Sequence, residues 1–382
     1  MSGLYLHIPF CKQACSYCDF YFVTRQEQKQ LFVDELIKEI QSKKGTRFTD
    51  DKIQTIYFGG GTPSLLSAKQ IEKIIEVITK VFKLELKEVT LEMNPDDVSA
   101  RYLSELKSAG ITRASMGVQS FDEELLRFMN RAHTREEALS CLEILSKSDL
   151  NSFTVDLIYG NPNQSLEILE QDIEILLSFD PPHISAYSLT IEPKTRLGKQ
   201  LELGRIIEPD DEVVASHFDL VESKLEKAGI KQYEVSNFSK PGFEAKHNSA
   251  YWSHENYLGL GPGAHSFWWD KERKSAERWN NGSDLNSYLE ESWKIRNEVD
   301  QLNLKELAEE RLMLGLRTVV GLNIEELKTS YNFEFNERQK IYIDQKEKEG
   351  KLVFDTHALK LTKAGLKISD SILLDLITQS ST

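Results

Sequence analysis

Three cysteines near the N-terminus are the residues whose spacing most clearly indicates chemistry. Cys11, Cys15 and Cys18 form a CxxxCxxC pattern directly after a strand-like run at residues 4–8. Three thiolates can ligate three irons of a [4Fe–4S] cubane and leave the fourth iron without a protein ligand. An open iron can chelate an amine and a carboxylate, and S-adenosylmethionine (SAM) carries both on its methionine end. The loop therefore predicts a [4Fe–4S] cluster with SAM as its partner.

A mononuclear zinc site is the alternative for this loop. Zinc usually takes four ligands, and His7 is a conceivable fourth. His7 lies inside the strand pattern, however. We therefore expect it to be structural or to contact a metal ligand without binding the metal itself. The aromatic surroundings favour the cluster, because a dry shell limits solvent access; they comprise Phe10, Tyr17, Phe20, Tyr21 and Phe22. The remaining cysteine, Cys141, lies in a helical pattern and is expected to be an inert core thiol.

Polar or glycine-rich segments lie at the ends of the other predicted strands or, for NRAH, after a short helix, and the fifth strand contains Asp156. They contain GGGTPS at residues 59–64, EMNP at 92–95, SMGVQSF at 115–121, NRAH at 130–133, Asp156 in VDLIYGNP, and TIEP at 190–193. Three successive glycines let a ligand approach the backbone, although a plain glycine turn is an equal alternative. Taken alone, Glu92 or Asp156 is more typical of a structural carboxylate. Loops after the strands of an α/β barrel share one face, so their convergence favours a ligand site.

The elements that must position these residues alternate along the first 240 residues. Strand patterns are expected at 4–8, 55–58, 89–93, 114–119, 153–159 and 184–190. Amphipathic helix patterns lie between them, at 30–42, 68–82, 100–109, 135–147 and 166–178. Such alternation implies parallel strands with right-handed crossovers. The fold class is therefore α/β, a partial (β/α)6 TIM-like barrel.

The rest of the chain changes character twice. Residues 231–293 are rich in Gly, His and aromatics and look irregular, whereas helices and a short hairpin follow from about residue 302. That last pattern resembles a winged helix, a shape that could bind DNA. Its basic and acidic residues are nearly equal in number, so it lacks the concentrated positive charge of a duplex-binding surface. We expect a mostly α-helical packing or lid domain.

Overall charge and composition exclude several classes of function. The 382 residues include 47 Lys and Arg against 61 Asp and Glu, a net charge of −14 that argues against general nucleic-acid or membrane-surface binding. No signal peptide is expected from MSGLYLHIPF, and no apolar run is long enough to span a bilayer. The sequence predicts a soluble, cytoplasmic protein with no membrane anchor of its own.

The motifs taken together are similar to those of a known family. The chain resembles the HemW-type heme chaperones, a branch of the oxygen-independent coproporphyrinogen III oxidase (HemN-like) family of radical SAM proteins. The markers, in order, are LYLHIPFCKQACSYCDF, YFGGGTPS, LEMNP, SMGVQSF, NRAH, VDLIYGNP, QYEVSNF, HNSAYW and GLGPGAHSF. The resemblance implies a radical SAM core at 1–240, a connecting region for heme or substrate at 241–300, and a HemN-like winged-helix-type domain at 301–382.

The resemblance also implies which residues contact the cofactors. The positions that match the SAM contacts of the family, including one beside the cluster loop, are Tyr5, Tyr17, Gly60, Gly61, Thr62, Glu92, Gln119, Arg131 and Asp156. Thr190 matches a residue at the second SAM of the oxidase branch, and whether one or two SAM molecules bind here stays open. No catalytic residue is assigned.

One departure separates the two branches of the family. The oxidases carry a further cysteine two residues after the third, where this chain has Phe20. They also have a longer segment before the cluster strand. Both differences favour the chaperone branch over decarboxylation of coproporphyrinogen III, which remains the alternative function.

Heme is the third cofactor that the resemblance implies. His247, Tyr251 and Trp252 belong to an HNxxYW element associated with heme binding in the chaperones, and a structural histidine is the competing interpretation. An imidazole can ligate heme iron, while Tyr and Trp can pack on a porphyrin face. His254 and His265 are further candidates. The expected function is to bind heme and transfer it to an acceptor, such as a respiratory enzyme.

Overall fold

A single twelve-stranded sheet dominates the computed structural model of the chain, which describes residues 2–379. The strands are β1 (Ser2–Ile8), β2 (Lys52–Gly60), β3 (Lys83–Met93), β4 (Arg113–Gln119), β5 (Ser152–Tyr159), β6 (His183–Ser188), β7 (Lys231–Gln232), β8 (Asn237–Ser239), β9 (Asn256–Leu260), β10 (His265–Asp270), β11 (Ser275–Asn280), β12 (Asn297–Leu302), β13 (Leu322–Asn323), β14 (Leu352–Phe354) and β15 (Ala358–Leu361).

Helices connect most of these strands. They are α1 (Lys29–Ser42), α2 (Ala68–Val81), α3 (Ala100–Ser108), α4 (Glu123–Phe128), α5 (Arg135–Ser146), α6 (Leu166–Leu177), α7 (Arg196–Glu202), α8 (Asp211–Lys227), α9 (Lys246–Trp252), α10 (Leu285–Leu289), α11 (Leu304–Gly315), α12 (Ile324–Tyr331), α13 (Glu337–Lys348), α14 (Lys363–Leu366) and α15 (Ser369–Thr378).

The strands β1 to β6 are parallel neighbours in chain order, and at least one helix joins each to the next. The predicted partial (β/α)6 barrel is therefore confirmed. The strands are buried on both faces, as β4 shows with its seven consecutive buried residues, because helices cover the outside and the site closes the inside. Strand starts lie up to six residues earlier than the sequence pattern indicates.

The sheet extends beyond the predicted barrel at both edges. β9 pairs with β1 in parallel, β10 to β12 continue as antiparallel strands, and β8 and β7 close the other edge. The apparent irregularity of residues 231–293 has a physical cause in β10. Trp268 packs in the main core, whereas Phe267 and Trp269 pack in a second core on the opposite face. Because both faces of β10 are buried, its sequence lacks the alternation of polar and apolar residues that indicates a strand. The domain division at 240 and 300 stays a prediction.

The C-terminal elements form a small unit of their own. The order α11, β13, α12, α13, β14, β15, with the antiparallel sheet order β13–β15–β14, is that of a winged helix. Helix α11 lies against α12 and α15 and belongs to the second core. Within residues 2–379, no helix has the length and apolar character needed to cross a membrane.

A buried carboxylate ties α1 to the added strands. Glu39 is fully buried and accepts hydrogen bonds from the Gly261 amide at 2.9 Å, the Asn281 side chain at 2.9 Å and the Tyr288 hydroxyl at 2.7 Å. Burial raises the pKa of Glu39, while Lys43 and these donors act in the opposite direction. Glu39 therefore fixes the loop after β9 against the main core.

We expect the Glu39→Ala substitution to lower the free energy of unfolding by about 3 kcal/mol, because three buried donors lose their acceptor. Chemical denaturation monitored by circular dichroism measures this change. Glu72→Ala, at an exposed position on α2, serves as the control and should leave stability within about 0.5 kcal/mol. Equal stability of the two variants would contradict the role given to Glu39.

Candidate functional site

The cysteine loop is anchored to two separate parts of the chain. The Cys11 amide donates to the Val23 carbonyl at 3.0 Å, which folds the loop back on itself. On the other side, the Asn130 side chain donates to the Ala14 carbonyl at 2.7 Å. Asn130 has a φ of 54°, a left-handed conformation that Asn tolerates better than most residues. The segment after α4 thus fixes the position of the loop.

A cavity of about 500 Å³ opens beside the loop, and we call it the cysteine cavity. Cys11, Cys15 and Cys18 line it together with residues from the ends of β2 to β6. The predicted SAM contacts that line it are Tyr17, Gly60, Gly61, Thr62, Glu92, Gln119, Arg131, Asp156 and Thr190. The structure therefore brings together nine of the ten candidates; Tyr5 lies in a neighbouring cavity instead.

Arg131 joins the cysteine loop to the strand ends. Its Nη1 lies 3.3 Å from the Cys15 Sγ and 3.3 Å from the Tyr17 hydroxyl oxygen. Its Nη2 donates to the Asn94 side chain at 2.8 Å and to the Gly117 carbonyl at 2.6 Å. A planar guanidinium with several donors can make all four contacts at once, which an ammonium cannot. Arg131 consequently positions both the loop and the cavity wall.

Two half-buried carboxylates line the cysteine cavity. Glu92 accepts the Tyr57 hydroxyl at 2.7 Å and the Gly60 amide at 3.1 Å. Burial raises the pKa of Glu92 to about 7, and the nearby Asp156 contributes in the same direction. Burial also raises the pKa of Asp156 to about 6. Carboxylates whose pKa values are raised by burial favour a ligand that is cationic or carries hydroxyl groups. The charge or the hydrogen bonds of such a ligand replace the interactions with water that burial removed.

The backbone conformation and the unpaired side-chain oxygen of Gln119 indicate that it contacts a ligand. It ends β4 with a φ of 71°, a sparsely populated conformation for a residue with a side chain. Its Oε1 is buried and has no hydrogen-bond partner among the described residues, and the same is true of Arg131 Nε. Buried polar atoms are normally paired, so these two atoms point to a polar molecule that belongs in the cavity.

The glycines after β2 are required by close packing. A Cβ at Gly60, whose φ is 107°, would lie 2.6 Å from the His7 ring, and a Cβ at Gly61 would lie 2.7 Å from the Phe10 carbonyl oxygen. No larger residue fits either position. The glycine segment thus lets β2 approach β1 and the start of the cysteine loop while its backbone lines the cavity.

His7 does not lie with the cysteines. Its Nε2 is 2.8 Å from the Tyr21 carbonyl oxygen and its Nδ1 is 3.2 Å from the Tyr5 hydroxyl, so both nitrogens are hydrogen-bonded. It lines the neighbouring cavity. Among residues 2–379, no group of three or more His, Cys, Asp or Glu side chains is arranged to hold a single metal ion. The position of His7 removes the candidate for the fourth ligand of a zinc site.

The residues of the cysteine cavity fit a cluster with a small polar ligand. Three thiols, two half-buried carboxylates, and Gln119 and Arg131 with their unpaired atoms line this cavity. A cubane with three cysteine ligands needs such an arrangement, since its fourth iron must meet a molecule that the remaining walls hold. Cys141 lies elsewhere, buried on α5 with its Sγ 3.5 Å from the Met116 Sδ.

A second cavity of about 650 Å³ lies on the other side of Gly60 and Glu92, and we call it the aromatic cavity. Both cavities are lined by Asp19, Phe20, Gly60 and Glu92. Phe20 is 69% exposed at this boundary. The aromatic cavity takes its name from the tyrosine, phenylalanine and histidine residues that line it, namely Tyr5, Tyr21, Tyr57, Tyr251, Tyr257, Phe20, Phe267, His7, His247, His254 and His265.

His247 is held firmly in the wall of the aromatic cavity. Its Nδ1 lies 2.8 Å from the Thr55 hydroxyl and its Nε2 2.8 Å from the Tyr251 hydroxyl. The ring stacks on Tyr57 with a centroid distance of 5.0 Å. Burial lowers the pKa of His247 to about 3, so its imidazole is neutral at physiological pH. A neutral ring is the form that ligates iron, but Nε2 is free to do so only after the Tyr251 hydroxyl turns away.

The other heme candidates lie in different surroundings. Trp252 is half-buried and lines neither cavity; its carbonyl accepts the Arg311 Nη1 at 3.1 Å. His254 is buried, with Nδ1 3.1 Å from the Tyr331 hydroxyl and Nε2 3.2 Å from Glu310. His265 is exposed at the start of β10 and lines the cavity. The element HNSAYW therefore places only two of its three candidates on the cavity.

Sequence reasoning missed several residues of the two cavities. Tyr187 belongs to β6 and lies in none of the motifs, whereas Tyr57 begins the marker YFGGGTPS without being a predicted site residue; each lines one of the cavities. Asn94 lies within the motif LEMNP, and its contact with Arg131 was not anticipated. Arg278 lies on β11 in the region judged irregular, so its position could not be read from periodicity.

Comparison with known families agrees with both parts of the fold. The Radical SAM superfamily matches residues 5–176, and the HemN C-terminal domain matches residues 302–368. Among solved structures, coproporphyrinogen III oxidase (HemN) from Escherichia coli, described as a radical SAM enzyme, superimposes with a TM-score of 0.81 over 99% of this chain and 90% of that chain. Their identity is 20%, so this likeness bears on the fold alone.

Curated relatives are similar over most of their length. "Heme chaperone HemW" of Bacillus subtilis is 38% identical over 85% of both chains. The protein of the same name from Lactococcus lactis is 34% identical over 97% of this chain and 96% of its own. That of Escherichia coli is 37% identical over 69% of both.

We expect Arg131→Lys to weaken SAM binding about tenfold, because an ammonium cannot hold the loop and the strand ends at the same time. Equilibrium binding of SAM to anaerobically reconstituted protein measures the effect. Arg127→Lys, at an exposed position on α4, is the matched control and should bind SAM like the parent protein. Parent-like affinity in Arg131→Lys would show that Arg131 is not needed to shape the SAM site.

Proposed function

The chain belongs to the HemW heme chaperone family within the radical SAM superfamily, and from this premise we propose that it binds heme and transfers it to an acceptor protein. Membership of the radical SAM superfamily implies a [4Fe–4S] cluster and SAM. Heme, its ligands and its acceptor are parts of the proposal. A respiratory enzyme or another heme protein is the acceptor we propose, and the cytoplasm is the proposed compartment.

One observation carries the proposal: two cavities of different chemistry share a wall. The cysteine cavity offers thiols and carboxylates, whereas the aromatic cavity offers tyrosines, histidines and phenylalanines. Its volume of about 650 Å³ is in the range of pockets for small molecules and cofactors. A flat apolar macrocycle with a central iron suits such a lining, because aromatic rings pack on its faces and imidazole can ligate its iron.

In this proposal, Cys11, Cys15 and Cys18 hold the cluster, and the ends of β2 to β6 hold SAM. When bound, a reduced cluster with SAM supplies one-electron chemistry. Glu92 and Asp156 accept hydrogen bonds from the ammonium or hydroxyl groups of SAM. The other predicted contacts orient the ligand and exclude water; they are Tyr17, Gly60, Gly61, Thr62, Gln119, Arg131 and Thr190, with Tyr5 behind the shared wall.

His247 is the proposed axial ligand of heme in the aromatic cavity. Once the Tyr251 hydroxyl rotates away, Nε2 faces the cavity while Nδ1 keeps its hydrogen bond to the Thr55 hydroxyl. The Thr55 hydroxyl can accept a proton from Nδ1, so this bond is compatible with the tautomer that leaves the lone pair on Nε2. Tyr251 then packs beside the macrocycle, and Trp252 ends the same helix, where its carbonyl accepts a hydrogen bond from Arg311.

Decarboxylation of coproporphyrinogen III is the alternative that the sequence left open. The structural likeness to an oxidase concerns the fold, and no observation in the cavities favours the oxidase reaction over heme transfer. Phe20 takes the place of the further cysteine of the oxidases and lies exposed beside both cavities. We therefore retain heme transfer as the proposed function.

Anaerobic reconstitution should yield about four irons per chain, as a cubane requires. We expect Cys15→Ala to abolish the iron–sulfur absorbance, because the loop then offers only two thiolates. Cys141→Ala is the control, since it removes a buried thiol that lines neither cavity, and it should keep its iron. Iron and sulfide analysis distinguishes the variants, and an intact cluster in Cys15→Ala would refute the ligand assignment.

Heme titration should separate the roles of His247 and Tyr251. We expect His247→Ala to lose the Soret shift of the parent protein, whereas Tyr251→Phe should keep it, because removal of the hydroxyl frees Nε2 and retains the ring. His357→Ala, at an exposed position between β14 and β15, is the control and should titrate like the parent. An unchanged Soret shift in His247→Ala would rule out axial ligation by His247.

A further inference from the structure

Arg278 of β11 brings a positive charge to the aromatic cavity. Among the lining residues, all of which are in the described part of the chain, it is the one Lys or Arg. Its guanidinium carbon lies 5.6 Å from the ring centroid of Phe267, and its side chain is 36% exposed. A cation placed over an aromatic wall and open to the cavity is suited to an anionic group on an otherwise apolar ligand.

The guanidinium of Arg278 forms an ion pair with a carboxylate of the same chain. Glu310, on α11 of the C-terminal unit, accepts Nη1 of Arg278 at 2.7 Å and Nη2 at 2.8 Å, a bidentate pair. Glu310 also lies 3.2 Å from Nε2 of His254. Although burial alone would raise the pKa of Glu310, the hydrogen bonds from His254 and Arg278 lower it to about 2. Glu310 is therefore ionised at physiological pH.

The ion pair between Arg278 and Glu310 indicates which chemical group can bind at this edge of the aromatic cavity. The fork of an arginine matches the two oxygens of a carboxylate, so the contact with Glu310 is a carboxylate site already satisfied from within the chain. Heme carries two propionate carboxylates on an aromatic macrocycle. The remaining carboxylates of the cavity wall, Asp19, Glu92 and Glu255, would repel a propionate, which leaves Arg278 as the favourable position.

We propose that Arg278 is a specificity-determining residue of the aromatic cavity, which binds a propionate carboxylate of heme in place of Glu310. This inference rests on the proposed function, because it takes heme as the ligand. One carboxylate replaces another on the same guanidinium, so Arg278 keeps a charged partner. Glu310 keeps its hydrogen bond to His254 after the exchange.

The exchange also reaches beyond the cavity. Arg278 belongs to the sheet and Glu310 to α11, so their contact is one of the links between the sheet and the C-terminal unit. Leu314, one turn further along α11, lines the same cavity. Binding of a propionate at Arg278 consequently releases one of these links at the point where α11 borders the ligand.

The test compares ferric heme with heme dimethyl ester, whose propionates carry no charge, in the same detergent-containing buffer. The full-length parent protein, with its cluster reconstituted, should bind heme about tenfold more tightly than the ester, as expected for one partly exposed charge-assisted contact. Arg278→Gln should bind both with equal affinity. Glu310→Gln removes the internal competitor, so its preference for heme should equal or exceed that of the parent.

Arg317→Gln is the matched control, since Arg317 also pairs with a carboxylate, that of Asp370, and lines neither cavity. It should keep the preference of the parent protein. A preference for heme that persists in Arg278→Gln, or that disappears in Glu310→Gln, would overturn the inference. Thermal unfolding of each variant confirms that the comparison is made on folded protein.

The same titrations separate this inference from the proposed function. If the parent protein binds neither heme nor the ester, the proposed function fails. If it binds both with equal affinity, heme binding stands and the role of Arg278 fails. Only a preference that depends on Arg278 supports the two together.

Discussion

Parallel pairing of β1 to β6 is the constraint on which the candidate site depends. Parallel strands end at the same edge of a sheet, so residues as far apart in sequence as Cys11 and Thr190 must meet there. The helices that return the chain between strands cover the outside and leave this edge open. The residues proposed for SAM lie at or near the ends of these strands or in the loops that follow, apart from Tyr5 and Asp156, which lie within β1 and β5. The site is therefore a consequence of strand direction before any particular side chain is considered.

The inner wall of the site has little tolerance for change. Gly60 touches the ring of His7 so closely that a methyl group would collide with it, and its amide also binds Glu92. Glu92 in turn accepts the hydroxyl of Tyr57, whose ring stacks on His247. Gly60 and Glu92 thus lie between the two cavities and line both of them. A molecule bound in one cavity lies against groups that shape the other.

Site residues could be predicted from the sequence where chemically distinctive motifs lie at strand ends. They could not be predicted where packing alone determines the structure. The cysteine spacing and the motifs after β2 to β6 could be read directly, because each follows a strand whose direction the β/α alternation determines. Arg278 and the strands β9 to β12 could not, since residues such as Phe267 and Trp268 are buried on opposite faces and remove the alternation that reveals a strand. The hydrogen bond between His247 and Tyr251 is a matter of side-chain geometry, which no motif specifies.

The second core has a consequence for how the chain holds together. Phe267 and Trp269 of β10 pack with leucines and tyrosines of the C-terminal unit, and Tyr331 stands 4.7 Å from the ring of Trp269. A protein cut before α11 would present these aromatic side chains of its central sheet to water. The winged-helix unit therefore covers part of the sheet, and the two share one hydrophobic core. An ancestor lacking that cover would have needed another surface, or a second polypeptide, to shield the same strand.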